Sequence, residues 1–189
     1  MSLPTCGTAC TDNLPALDFS KCAPVLNAAQ ISKIFFTNPG NPMSDWSNAL
    51  EWDSRLDQDA SGSSKIRTLI GIGEFTEPAQ EEKEISLGRK FRGVKNFTIN
   101  HVIDETGDAN YEAMRQLECN SGAKLIWFQT RDGLLYGGNA GIEASIKMNQ
   151  VITNNYQDFI TFNVKIEWQY KFHPERITSP ITDSIGDQF

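Results

Sequence analysis

The chain has 189 residues, a formal net charge of −7 and a sequence pI near 4.8, with eleven Phe, four Tyr and four Trp. That length can bury a core without metal or disulfide staples, and the aromatic content excludes a disordered polyanion. The acidic balance excludes a surface built to neutralise phosphates, and no apolar run reaches the roughly 20 residues that cross a bilayer.

Residues 1–30 show no sustained periodicity, and Pro4, Pro15 and Pro24 each block a helix, which predicts an extended N-terminal arm. The first residues lack the basic and apolar stretches of a secretory leader, so the expected setting is the cytoplasm. Cys6, Cys10 and Cys22 crowd the arm, and the fourth cysteine is Cys119. Their spacing fits structural zinc hooks poorly, which leaves small buried thiols or a disulfide pinning the arm. Residues 31–37 read as a short strand, ended by the turn chemistry of Asn38-Pro39-Gly40-Asn41-Pro42. A helix is expected over 44–56, capped by Ser44 or Asp45. Trp46, Ala49 and Leu50 form its apolar stripe, and Asp53 is the flaw in it.

Residues 57–64 are a polar loop by composition, and a strand resumes over 65–72. The stretch 73–88 then reads as a long excursion inserted in the domain, of a length usually reserved for function. Phe97, Ile99, His101 and Ile103 alternate with polar neighbours and Val102, the pattern of a half-buried strand. A second helix is expected over 108–119, capped by Thr106 or Asp108, with Tyr111, Ala113, Met114 and Leu117 facing inward. Residues 124–130 and 134–137 form a hairpin about Arg131-Asp132-Gly133, and Ile142, Ala144, Ile146 and Met148 alternate in another strand. The cleanest alternation runs from Ile160 to Phe172, predicting a strand of about 43 Å with one apolar and one wet face. From His173 the chain is expected to leave the fold, with 177–189 a flexible C-terminal tail. About seven strands, two short helices and no strand-helix alternation predict a mainly β (α+β) fold, an antiparallel sandwich or barrel with short flanking helices.

The search for chemistry returns little. Gly71-Ile72-Gly73 lacks the third glycine of a phosphate loop, and 137–141 is glycine-rich but sits between strands, where a tight turn is expected. His101 follows the inward residues of its strand and reads as a partly buried core histidine, and His173 precedes a proline at a strand end. Asp104 and Glu105 are adjacent acids before a helix, where they favour its positive end. No nucleophile, acid and base can be named together, so no catalytic, cofactor or metal residue is assigned and the expectation is not an enzyme.

Charge placement is uneven. Residues 74–84 hold Glu74, Glu77, Glu81, Glu82 and Glu84 against Lys83, while 89–95 hold Arg89, Lys90, Arg92 and Lys95 with no acid. The plain reading is solvated surface. The sharper reading places the two segments on opposite faces of the molecule, meeting on neighbouring copies in a heterologous contact of the kind that makes rings or filaments. The polar face of the long strand would suit the wall of a wide channel.

The block Gly71-Ile72-Gly73-Glu74, then Lys95-Asn96-Phe97-Thr98-Ile99-Asn100, Tyr111-Glu112-Ala113-Met114-Arg115, Trp127-Phe128-Gln129-Thr130 and Leu135-Tyr136-Gly137-Gly138 resembles the tail tube proteins of tailed bacteriophages. The end of the chain, Lys171-Phe172-His173-Pro174-Glu175-Arg176, fits the same picture. The likeness covers residues 31–180 in element order, and the arm over 1–30 is not part of it. The resemblance implies a β-sandwich or barrel over 31–176, six copies to a ring, and rings stacked into a hollow tube within the virion, assembled in the host cytoplasm. A long loop of that family reaches the next ring, and 73–88 is the candidate for it. The implied partners are the chain itself, a tape-measure protein, a tail terminator, baseplate or tail-tip proteins, and DNA that passes without specific binding during ejection. An acidic wall would let DNA slide. A binding module, such as a capsid decoration or receptor-binding domain, is the alternative expectation.

Overall fold

The computed structural model describes residues 27, 29–57, 60–86, 89–120, 122–155 and 157–181. The expected arm, with Cys6, Cys10 and Cys22, lies almost wholly outside them, as do the last eight residues of the expected tail. Among the described residues nine strands and two helices follow one another. They are β1 (Ile31–Thr37), α1 (Ala49–Leu56), β2 (Arg67–Phe75), β3 (Ala79–Ser86), β4 (Arg89–Ile103), α2 (Asp108–Cys119), β5 (Lys124–Thr130), β6 (Leu134–Tyr136), β7 (Ile142–Val151), β8 (Thr161–Tyr170) and β9 (Arg176–Thr178).

Strands β1, β2, β4, β8, β7 and β5 pair antiparallel in that order, and β5 pairs back onto β1. The result is a closed six-stranded antiparallel barrel, in which each of the six strands has a neighbour on both sides. The mainly β architecture expected from the sequence is therefore present, in its barrel form. Alternation drives it: Phe162, Val164, Ile166 and Trp168 of β8 point inward beside Phe97 and Ile99 of β4. Phe75, Phe97 and Trp168 stack with ring centroids 5.2 to 5.8 Å apart, filling one end of the barrel with aromatic area.

Strands β1 and β5 are apolar on both faces because a second core lies outside the barrel. Ile34, Phe36, Ile126 and Phe128 face in, whereas Phe35, Leu125 and Trp127 join Trp52 and Leu56 of α1. Trp127 fixes the neighbouring turn. Its Nε1 donates to the Gly138 carbonyl at 2.7 Å, and a Cβ on Gly137 would lie 2.4 Å from its ring. The positive φ of 142° at Gly137 and 75° at Gly138 makes 137–141 the tight turn its composition predicts.

Five expectations need correction. Helix α1 starts at Ala49, capped by Asn48, because the Ser44 and Asp45 backbone N–H groups donate to the Glu51 carboxylate at 2.8 and 2.9 Å and hold 44–48 as a turn. Gly107, rather than Thr106 or Asp108, occupies the N-cap of α2, and Tyr111 and Ala113 are exposed while Met114 and Leu117 are only half-buried. The long strand is β4, with 15 residues, whereas β8 ends at Tyr170 after ten. The chain beyond His173 does not leave the fold at once. β9 pairs with β6, the Ser179 N–H donates to the Gly133 carbonyl at 2.7 Å, and Ile181 is buried in the outer core. Finally, the described part of 73–88, residues 73–86, is not one long loop, because it holds the end of β2 and the whole of β3.

Candidate functional site

Strand β4 carries the feature that sets this barrel apart. From Lys95 to Ile103 it pairs with β8, and at residues 99–102 its other side pairs with β2. Residues 89–94 have left β8 behind and pair with β3 alone. At about 3.3 Å per residue that segment carries a two-stranded ribbon roughly 20 Å past the end of β8. One extra residue of β4 is accommodated beside Gly93 as the register passes from Gln80↔Lys95 to Glu82↔Arg92, a bulge that bends and twists a ribbon.

The charged residues of the acidic and basic segments sit on or beside this ribbon. Glu74 lies at the end of β2, Glu77 in the connection, Glu81, Glu82 and Glu84 on β3, and Arg89, Lys90, Arg92 and Lys95 on β4. The acidic and basic segments are thus not on opposite faces of the molecule, because the hairpin pairs them strand to strand. Glu82 and Arg92 are Cα partners, with Arg92 Nε 2.8 Å from Glu82 Oε1, and Lys90 Nζ stands 3.7 Å from Glu82 Oε2. Glu74 instead accepts from Asn100 Nδ2 at 3.2 Å on the barrel wall. The ion pairs are exposed, so they set register more than they stabilise.

The ribbon also shows apolar surface. Phe91 and Val94 are each 51% exposed, and Tyr170 and Phe172 stand exposed beyond the last turn of the barrel, where Tyr170 is the partner of Lys95. The outer edge of β3 pairs with nothing among the described residues, and neither does the far edge of β4 over 89–94. The sequence carries a signal for this hairpin that periodicity does not see: an acidic run followed, after a break at 85–88, by a basic run.

The wet face of β4, β8 and β7 is built of Asn96, Asn100, Asn163, Gln169 and Asn149, with Lys147 and Lys165 facing each other. Glu167 bridges both ammonium groups at 2.7 and 2.8 Å, and these hydrogen bonds hold its carboxyl below the ordinary carboxylate range. The face is amide-rich with mixed charge rather than acidic. Surplus acid sits instead about α2, where Asp104, Glu105, Asp108, Glu112 and Glu118 surround one base, Arg115.

His101 is 1% exposed, and neither ring nitrogen has a hydrogen-bond partner. The expected core histidine is therefore fully buried, and burial pushes its pKa from 6.5 down to about 4. Gly73 makes room for it, since a Cβ there would come 2.6 Å from Nδ1; at Gly71 a Cβ would meet the Val102 carbonyl oxygen first and Nε2 next, at 2.9 Å. His173 is exposed and sets its ring edge-on to Phe97 at 5.5 Å. Cys119 is an exposed free thiol rather than a buried one. Among the described residues no cluster of His, Cys, Asp and Glu could hold a metal ion, and no helix is long and apolar enough to cross a membrane.

Comparison with known proteins adds no relative: no family model matches the chain, and no curated protein does.

Proposed function

We propose that this protein is a virion structural subunit, a tail tube protein of a tailed bacteriophage, that assembles itself into stacked hexameric rings forming a conduit for DNA ejection. The observation that carries the reading is the β3–β4 ribbon. A two-stranded hairpin is marginal in water by itself, and this one leaves two strand edges and the side chains of Phe91 and Val94 without cover among the described residues. A surface on a second copy supplies that cover. The ribbon and the surface that receives it are different patches, so the contact is heterologous and propagates as a ring or a filament. The barrel supports this role as a closed block in which each strand has a neighbour on both sides.

The amide-rich face of β4, β8 and β7 suits a channel wall, since neutral amides and a Lys-Glu-Lys bridge with one positive charge to spare hold phosphate only weakly. The tape-measure protein, the terminator and the tail-tip proteins are the partners this reading requires.

The test is light scattering on two chains. In one, residues 81–94 are replaced by an Asn-Gly turn that joins the paired residues Gln80 and Lys95. The intact chain forms species whose mass rises with concentration, and the ribbonless chain stays a folded monomer. Equal association by both chains removes the ribbon from the assembly and the proposal with it.

A further inference from the structure

A second surface goes beyond the assembly reading. Between α2 and the barrel lies a cleft of about 590 Å³, a size typical of small-molecule sites. Its apolar lining comes from Phe36, Leu56, Ile66 and Leu69 on one side and Met114 and Leu117 of α2 on the other. Three cations, Lys65, Arg67 and Lys124, also line it, and among the described residues no aspartate or glutamate does. In a chain of net charge −7 this is a local inversion of sign.

Lys124 makes the inversion informative. The residue is only 4% exposed, and among the described residues its ammonium donates to a neutral group, Asn38 Oδ1, at 3.1 Å. A buried ammonium has three donors and a charge to compensate, and one amide oxygen meets neither need. We propose that the cleft binds an anionic amphiphile, a single carboxylate on a compact apolar body, with the carboxylate at Lys124 and Arg67 and the apolar body against Phe36, Leu69 and Met114. The residue types and volume favour this ligand over a polyanion, because half of the lining is apolar and the cations number three.

The probe is decanoate, titrated into the full chain by calorimetry, with decanol as the uncharged control. Decanoate binds one to one, and decanol binds about ten-fold more weakly, the loss expected when a charge-assisted hydrogen bond is missing. Lys124→Met weakens decanoate by about ten-fold and leaves decanol unchanged, whereas Lys147→Met, on the wet sheet face, changes neither. Arg67→Gln, at an exposed position, weakens decanoate to a smaller extent and carries the test if Lys124→Met does not fold. Competition by a Leu-Leu-Glu peptide acetylated at its N-terminus and amidated at its C-terminus, but not by its Gln counterpart, identifies a polypeptide as the source of the carboxylate; absence of competition identifies a free amphiphile. Equal affinity for decanoate and decanol, unchanged binding in both cation variants, or no saturable binding below millimolar concentration overturns the proposal.

Discussion

His101 shows at the residue scale how this core tolerates a polar ring. It stays neutral at pH 7 because burial holds its pKa near 4, against 6.5 when exposed. The unfolded chain therefore takes up a proton at higher pH than the folded one. The stability contributed by the neutral ring is complete above about pH 6.5 and is lost as pH falls toward 4, by a total of about 3 kcal/mol. Urea midpoints measured from pH 7 to pH 4 will fall steeply for the parent chain and much less for His101→Leu. The hydrogen-bonded carboxylates of Asp45 and Glu167 have lowered pKa values, so their contributions are lost only as pH falls through the ordinary carboxylate values of 3.8 and 4.5 and below, and the upper part of the window, above about pH 5, belongs to His101. Gly73 is the steric counterpart. Gly73→Ala places a methyl 2.6 Å from Nδ1 and will cost about 1–3 kcal/mol. In the double variant with His101→Ala the two costs will fall short of their sum, as chemical denaturation of the four-member cycle will show.

At the scale of the element, what the sequence disclosed followed whether water lies on one side of a strand or both. β8 and β7 keep one face in the core, so Phe162 to Trp168 and Ala144 to Met148 alternate legibly, and Asp132-Gly133 marks the β5–β6 turn. β3 has water on both faces at Glu81, Glu82, Lys83 and Glu84, and a strand without a buried face has no hydrophobic period to read. The same nine charges were visible as a cluster but not as a hairpin, because cross-strand pairing of Glu82 with Arg92 is a matter of register. Helix α2 departs from its pattern for a different reason: Met114 and Leu117 pack only partly on the core and line a cleft, while Tyr111 and Ala113 stay exposed. The energetic contrast between these elements is testable. Arg92→Ala on the ribbon will change the unfolding free energy by less than about 1 kcal/mol. Trp52→Ala, which removes a fully buried ring between Phe35 and Trp127, will cost about 3–5 kcal/mol in the same urea titration.

For the whole molecule, the net charge of −7 resolves into separate surfaces: a ribbon that pairs its own acids and bases, a sheet face of amides, an acidic region about α2, and a cationic cleft beneath that helix. Self-repulsion keeps such a chain soluble, and salt screens it over about 8 Å at physiological ionic strength. Self-association driven by apolar and backbone contacts at the ribbon will therefore strengthen as salt rises, whereas association driven by ion pairs between copies will weaken, and light scattering from low to high salt separates the two. The central claim concerns architecture, and electron microscopy of the purified full chain at high concentration tests it most directly. The account predicts open cylinders with six copies around each ring and the ribbon at the contact between copies; discrete monomers or trimers that persist under all salt conditions would contradict it.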